Sequence, residues 1–89
     1  MNYNIQTNVF GDKFYYLDYL LHRLDGPAVE FSNGNKYWYK HGNLHREDGP
    51  AKEYANGDKC WYLYHICYGK NNDFSTSSWI SFVKTLIFS

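Results

Sequence analysis

The stretch that decides the fold is LHRLDGPAVEFSNGNKYWY, residues 21–39, because the chain repeats it as LHREDGPAKEYANGDKCWY at residues 44–62. The two stretches align from end to end without a gap, and 13 of the 19 positions are identical. Upstream, GDKFYY at residues 11–16 matches the end of both copies. Self-similarity at a fixed period is typical of stacked units that cannot bury their apolar faces alone. The sequence therefore predicts an array of about two and a half units.

Each full unit contains an Asn-Gly pair, which is the strongest short-range signal for a β-hairpin. The two pairs are Asn33-Gly34 and Asn56-Gly57. We predict a three-residue turn with glycine in the left-handed conformation, because this register sets Glu30 opposite Lys36. The same register sets Glu53 opposite Lys59 in the second unit. Each hairpin thus gains a cross-strand ion pair.

Alternation along these strands separates two faces of the predicted sheet. One face keeps the same residues in both units: Ala28, Glu30, Lys36 and Trp38, then Ala51, Glu53, Lys59 and Trp61. The other face changes between the units: Val29, Phe31, Tyr37 and Tyr39, then Lys52, Tyr54, Cys60 and Tyr62.

The motif His-Arg-x-Asp-Gly-Pro precedes each hairpin, in a segment that we interpret as a polar connection. Asp and Gly suit tight turns, and Pro suits a strand end because it lacks an N–H group. A catalytic site is needed once, whereas this set recurs at the structural period. We therefore expect the aspartates to cap the turn, the arginines to pair with a carboxylate or carbonyl of a neighbouring unit, and the histidines to pack on rings. The positions assigned to structure are His22, Arg23, Asp25, Gly26, Pro27, Asn33, Gly34 and Trp38 in the first copy, and His45, Arg46, Asp48, Gly49, Pro50, Asn56, Gly57 and Trp61 in the second.

The C-terminal segment has the spacing of an amphipathic helix. Its apolar stripe consists of Trp79, Phe82, Val83, Leu86 and Ile87. The Ser and Thr cluster at residues 75–78 supplies an N-cap, so we predict a helix over residues 75–88 that covers the open end of the array. The predicted organisation is a single domain, 1–89, with a partial unit at about 1–20 and units at 21–43 and 44–69.

The repeat wording, LHRxDGPAxxxxNGxxxWYxxGxLHRxDGPA, resembles the MORN repeat and, more closely, small repeat proteins of bacteriophages and giant viruses. The resemblance covers residues 11–69. It implies a mainly β fold, an antiparallel β-hairpin repeat array of MORN-like type with a 23-residue period and one C-terminal α-helix, and it implies a viral setting. MORN arrays are linked with lipid head groups or protein partners. The last unit departs from the pattern, because YHICYGK at residues 64–70 stands where HGNLHRE would recur.

The composition of the chain limits the classes of function that it can have. Nine Lys and Arg balance nine Asp and Glu, which removes the basic excess of a general nucleic-acid binder. The N-terminal stretch MNYNIQTNVF lacks the pattern of a secretory signal, and the apolar run WISFVKTLIF is too short to span a bilayer. We expect a cytoplasmic protein, in the host cytoplasm if viral, with two free thiols and no membrane partner.

Enzyme and metal chemistry have weaker support in the sequence. His22 with Asp25, and their copies, could form a base and its orienting acid, but no nucleophile motif accompanies them. His41 and His45, and the group Cys60, His65 and Cys67, are admissible zinc ligands without a recognised metal spacing. We therefore predict no enzyme activity, no metal and no cofactor.

Tyr, Trp and Arg exceed what so small a core can hide, and interfaces favour these residues. We expect a non-enzymatic protein-interaction module, a small viral (phage) protein that binds and inhibits a host protein such as a CRISPR or other anti-phage defence effector. The defence link rests on the viral resemblance and the small size. The candidate binding face is Lys36, Tyr37, Tyr39, Lys40, His41, Arg46, Tyr54 and Tyr62. Alternatives are a nucleotide or small-molecule sponge, a single-stranded nucleic-acid binder using the aromatic face, self-association through strand edges and, last, a His/Asp nuclease.

Overall fold

The chain forms mainly antiparallel β-sheet with a single C-terminal helix, as the sequence predicts. The computed structural model describes residues 2–88, with the backbone alone for Ile87 and Phe88, so the predicted place of Ile87 in the apolar stripe lies outside the described side chains. The strands are β1 (Asn4–Thr7), β2 (Lys13–Leu17), β3 (Leu20–Leu21), β4 (Val29–Glu30), β5 (Lys36–Tyr37), β6 (Tyr39–Lys40), β7 (Asn43–Leu44), β8 (Lys52–Glu53), β9 (Lys59–Leu63) and β10 (Ile66–Lys70). A 3-10 turn, Asn71–Asp73, leads to the helix α1, Thr76–Phe88.

The strands lie in one long sheet and one short hairpin. The long sheet has the order β1-β2-β4-β5-β8-β9-β10, with β3 also paired to β2, and β6 pairs only with β7 among the described strands. The molecule measures 41 × 30 × 18 Å, which leaves room for one sheet and thin cover on it. Most of the sheet therefore lies close to the surface.

The predicted register of the Asn-Gly hairpins is confirmed. Glu30 lies opposite Lys36, and Glu53 lies opposite Lys59. The predicted ion pairs with these lysines were wrong, because the two carboxylates bind Arg23 and Arg46. The turn glycines have φ of +100° at Gly34 and +95° in the second unit, a region where a Cβ is strained. The same turn also closes β1 onto β2, where Gly11 N–H donates to Asn8 O at 3.1 Å.

A second hairpin in each unit replaces the expected polar connection. Two-residue turns with positive φ at both positions join β2 to β3, β6 to β7 and β9 to β10; they are Asp18-Tyr19, His41-Gly42 and Tyr64-His65. This is the geometry of type I′ turns, which match the twist of paired strands. The prediction of a plain connection was wrong because these turns lack Asn-Gly, and two of the three lack glycine altogether.

The arginine of each motif is held by its own unit. Arg46 Nε donates to Asp48 at 2.9 Å, and Arg46 Nη1 donates to Pro50 O and to Glu53. Its guanidinium lies 3.8 Å from the centre of the Trp38 ring, which belongs to the preceding unit. Arg23 repeats the arrangement with Asp25, Pro27 O and Glu30, 4.0 Å above Tyr15. We call each set an arginine clasp.

The clasps correct two expectations and give the motif glycines a role. The aspartates accept hydrogen bonds from arginine where turn capping was expected, and the carboxylate partners belong to the same unit, so the contact between units is the cation on the ring. The motif glycines are needed for close approach, since a Cβ on Gly26 would lie 2.9 Å from Arg23 Cζ and one on Gly49 would lie 2.7 Å from Arg46 Cζ.

The histidines of the motif stabilise the strained turns. His22 and His45 are both buried. Each accepts a hydrogen bond at Nδ1 from the first turn residue of the next type I′ turn, from His41 N–H at 2.9 Å and from Tyr64 N–H at 3.0 Å. They also pack on rings, as predicted, with centroids 4.3 Å apart for His22 and His41. Since a non-glycine residue at positive φ costs about 1–2 kcal/mol, these bonds offset local strain.

The helix α1 covers the last unit. Ser75 caps it, with Oγ accepting from Ser78 N–H at 3.1 Å, as the sequence predicts. Trp79 is fully buried against Trp61 and Phe74, and its Nε1 donates to Arg46 O at 3.0 Å. Together with Leu63, Val83 and Phe82 these residues form the main apolar core.

Within the described residues, no helix has the length and apolar character needed to cross a membrane.

Candidate binding surface

A ridge of aromatic rings crosses one face of the long sheet. Neighbouring rings meet edge to face, with centroids 6.3 Å apart for Phe14 and Phe31, 5.0 Å for Phe31 and Tyr37, and 6.0 Å for Tyr37 and Tyr54. This arrangement is the one that the ring quadrupoles favour. Tyr62 continues the ridge toward β10. We call these five rings, together with the Lys52 side chain among them, the tyrosine face.

Lys52 is the cation of the tyrosine face. Its Nζ lies 5.0 Å from the centre of the Tyr37 ring and 5.5 Å from that of Tyr62. The side chain occupies the repeat position that the buried Val29 holds in the first unit. The face therefore combines flat apolar rings with one positive charge at its centre.

The tyrosine hydroxyls on this face are partly desolvated. Burial, with Tyr37 and Cys60 nearby, raises the pKa of Tyr54 to about 12. Burial and the neighbouring Cys67 also raise the pKa of Tyr62. Both hydroxyls are therefore neutral at physiological pH, so each can donate one hydrogen bond and accept others.

The opposite face of the sheet, which we call the covered side, is covered in part. Trp61 is adjacent in sequence to Tyr62, so it lies on the other side of β9, and α1 packs there. The arginine clasps cover Tyr15 and Trp38 on that same side. The five rings of the tyrosine face are half-buried as well, and they pack against one another in a single layer.

A groove of about 570 Å³ runs between the two His-Arg-x-Asp-Gly-Pro loops. It contains the exposed Leu24, the half-buried Trp38 and Tyr39, and Lys40. Its two arginines already bind carboxylates through the clasps, so they offer little to an anionic ligand. Burial and nearby Tyr37 raise the pKa of Tyr39, which keeps that hydroxyl neutral.

The eight residues of the predicted binding face do not share one surface. Tyr37, Tyr54 and Tyr62 lie on the tyrosine face. Lys36 lies on the covered side between Glu30 and Glu53, and Arg46 lies in its clasp over Trp38. The remaining three, Tyr39, Lys40 and His41, belong to the β6–β7 hairpin beside the groove. The charged side chains Lys36 and Arg46 therefore lie on the side of the sheet opposite Tyr37, Tyr54 and Tyr62.

Three members of the tyrosine face were absent from the predicted set: Phe14, Phe31 and Lys52. The repeat itself carries the signal for all three. Phe14 holds the repeat position of Tyr37, and Phe31 holds that of Tyr54. Lys52 alternates with Tyr54, so strand periodicity places it among the rings.

The motif histidines are occupied by structural bonds. Because His45 Nδ1 accepts from Tyr64 N–H, its Nε2 carries the proton and donates to Glu47 at 2.8 Å. His22 is buried, with Nδ1 bound to His41 N–H. A proton taken up by Nδ1 would break the hydrogen bond that holds the type I′ turn of the same unit.

Among residues 2–86, whose side chains are described, no three His, Cys, Asp or Glu side chains gather as a metal site. Cys60 and Cys67 are free thiols on the side of the sheet that carries Tyr62. His65, the third residue of the considered zinc group, sits in the type I′ turn that joins β9 to β10.

Comparison with known proteins gives no match to a family model, to a curated protein or to a solved structure. The function is therefore argued from the residues of this chain.

Proposed function

We propose that this protein is a non-enzymatic protein-interaction module whose tyrosine face binds a partner protein. One observation carries the proposal: a continuous ridge of half-buried rings lies on one side of a sheet whose other side carries the clasps and α1. Large rigid rings contribute contact area at a low cost in conformational entropy, and they dominate binding energy in protein interfaces.

The charge pattern of the face suits a partner with carboxylates beside an apolar patch. Lys52 is held above two rings and pairs with no acid in the described residues, so its charge is available to a partner. A carboxylate of the partner could therefore approach Lys52 while apolar side chains pack on Tyr37 and Tyr54. The hydroxyls at the rim supply hydrogen bonds.

We further propose that the partner is a host protein, with a CRISPR or other anti-phage defence effector as the preferred class, and that the module acts as a small viral inhibitor in the host cytoplasm. This step is supported by the resemblance of the repeat wording to phage and giant-virus proteins and by the small size of the chain. The geometry of the tyrosine face supports protein binding in general.

The test uses tagged wild-type protein and two charge reversals to capture partners from host lysate treated with nuclease. Lys52→Glu changes the centre of the tyrosine face, and Lys84→Glu is the matched control on the exposed side of α1. We expect one protein in stoichiometric amount with wild type and Lys84→Glu, and a loss of at least about tenfold in affinity with Lys52→Glu once that protein is purified. Circular dichroism confirms that both variants fold.

Capture of nucleic acid only, or of nothing, would contradict the proposal and favour the strand-binding or sponge alternatives. Equal binding by Lys52→Glu and wild type would move the interface away from the tyrosine face. A small molecule released on denaturation, with the groove between the loops as its site, would support the sponge.

A further inference from the structure

The strand β1 forms an open end of the long sheet. In the described part of the chain it pairs with β2 and with no other strand, and all four of its residues are exposed. Its counterparts in the later units, residues 27–30 and 50–53, contain β4 and β8, and each of these strands is paired on both sides. On the side of β1 that faces away from β2, no described strand occupies the position that a neighbouring strand fills beside β4 and β8.

The backbone groups that face outward can be identified. Tyr15 N–H donates to Ala28 O at 2.8 Å, so the backbone of Tyr15 faces β4. Its neighbours in β2 therefore face β1, where they pair with Gln6 and Asn4. The alternate residues, Ile5 and Thr7, direct their N–H and C=O groups away from β2. An incoming strand would bind these two residues.

This edge lacks the features that protect sheet edges. Residues 1–11 contain no charged side chain and no proline, and the β1–β2 register runs without a bulge. At the other end of the sheet, β10 has a bulge between Cys67 and Gly69 and ends on Lys70. The two edges are therefore unequal, and β1 is the one that can accept a strand.

Exposed apolar side chains gather at the same end. Ile5 is 52% exposed, and Val9 and Phe10 at the tip of the β1–β2 turn are 93% and 75% exposed. The equivalent tips of the later turns hold smaller or polar residues, Ser32 with Asn33 and Ala55 with Asn56. The partial unit, residues 1–20, has two large apolar residues at these positions.

We propose that β1 pairs antiparallel with β1 of a second copy of this chain, about a two-fold axis perpendicular to the sheet. A strand can always meet itself in this way, because a two-fold axis presents the same patch on both sides. The formal net charge of zero removes the overall repulsion between copies. Ile5 then lies opposite the partner's Ile5 or the partner's Thr7, the registers in which outward-facing groups meet.

The consequence is a sheet that continues from one copy to the next. Since the axis is perpendicular to the sheet, the tyrosine faces of both copies lie on the same side. The dimer contact uses the edge of β1, which is separate from the rings of the tyrosine face, so the two proposals are tested by different variants.

The test is sedimentation equilibrium over a concentration series with four proteins: wild type, Ile5→Lys, Ile5→Glu and the control Ile66→Lys on β10. We expect wild type and Ile66→Lys to reach twice the mass of one chain, and Ile5→Lys and Ile5→Glu each to keep the mass of one chain. An equimolar mixture of the two Ile5 variants should again reach twice that mass, because opposite charges then meet across the axis. Amide exchange should slow with concentration at Ile5 and Thr7, while Asn4 and Gln6 are already protected by β2.

The proposal is overturned if wild type keeps the mass of one chain at every concentration. It is also overturned if Ile5→Lys associates as tightly as wild type, if Ile66→Lys dissociates equally, or if the mixture of Ile5 variants fails to associate. Ile5 is half exposed, so thermal melts should show that its variants remain folded, and the mixture distinguishes lost pairing from lost folding.

Discussion

One aromatic position of the repeat, held by Tyr15, Trp38 and Trp61, is covered in two different ways. Tyr15 and Trp38 each lie under the arginine of the following unit, whereas Trp61, the next member of the series, lies under Trp79 and Phe74. The reason is in the sequence, since Gly69 holds the repeat position where Arg46 stands in the preceding unit. Tyr15 and Trp38 are covered by an arginine that the carboxylates of the following unit hold in place. No arginine follows at the equivalent position for Trp61, which is covered by apolar side chains instead. At the other end of the sheet, the four residues of β1 are exposed.

The largest effect is expected where the cap meets the last unit. Trp79→Ala removes a fully buried ring and its hydrogen bond to Arg46 O, so we expect a loss of about 3–5 kcal/mol in the free energy of unfolding. This is a large share of the stability of a small domain. Urea denaturation followed by circular dichroism measures it.

The matched control for this prediction is Lys84→Ala on the exposed side of the same helix, where a change within about 0.5 kcal/mol is expected. A similar small loss for Trp79→Ala would show that α1 does not stabilise the array.

The two arginine clasps give the next effect. Gly49→Ala places a Cβ 2.7 Å from Arg46 Cζ, and Gly26→Ala places one 2.9 Å from Arg23 Cζ. We expect each to cost about 1–3 kcal/mol by overpacking, with the larger cost at Gly49, which is buried while Gly26 is half-buried. Thermal melts of both variants test the order. Equal stability of Gly49→Ala and wild type would mean that the arginine can leave its ring freely.

The two motif histidines, His22 and His45, have different charged neighbours. Burial lowers the pKa of His22, and repulsion from His41 and Lys40 lowers it further. At the other site, Glu47 accepts a hydrogen bond from His45 Nε2. A histidine with a lower pKa in the folded state stabilises the protein above about pH 6.5, and this contribution is lost as the pH falls below that value. We therefore expect the free energy of unfolding to fall from pH 7 toward pH 5, as measured by urea titrations.

His22→Asn isolates this contribution, since the amide oxygen can still accept from His41 N–H but does not titrate in this range. The variant should lose part of the pH dependence between pH 7 and pH 5. An unchanged slope would assign the acid sensitivity to other groups.

The smallest effect is expected at the turn-to-turn contacts. Asp12 Oδ1 accepts from Ser32 N–H at 2.7 Å, and Asn35 Oδ1 accepts from Ala55 N–H at 2.8 Å in the next unit. The bond from Ser32, with Asn8, lowers the pKa of Asp12, so its contribution is present above about pH 3.8 and is lost as the pH falls below it. We expect Asp12→Asn to lower the urea midpoint at pH 7 only slightly, because the amide oxygen can still accept from Ser32 N–H.

Titration of the Asp12 carboxyl by NMR provides the readout, with a midpoint below 3.8 in the wild type. Removing the acceptor with Asp12→Ala should expose the Ser32 amide to exchange. A normal midpoint would show that the bond to Ser32 N–H does not form in solution.

Much of the fold could be predicted because it depends on residues that are close together in the sequence. The Asn-Gly pairs and the Glu30 and Lys36 alternation were enough to set the register, and Ser75 with the apolar stripe was enough to place the helix. The type I′ turns were missed because His41 and Tyr64 reach positive φ through a bond to a histidine of the preceding motif, and single-sequence turn rules contain no such partner.

The candidate surface was harder to predict than the fold. Tyrosines 37, 54 and 62 follow from strand alternation, but Lys36 and Arg46 were grouped with them on the basis of charge, although they lie on the covered side. The strand β1 could not be predicted at all, because Asn4–Thr7 shares no identical residue with its equivalents, and pairing with β2 alone defines it.

The order in which the chain leaves the ribosome has a consequence for Trp61. Each clasp and each histidine bond joins residues about 20 positions apart or fewer, so every unit can close soon after it is synthesised. The helix that covers Trp61 is synthesised after all ten described strands. A nascent chain that stalls before Trp79 would hold the folded hairpins with the Trp61 indole open to solvent, and synthesis of α1 would then cover it.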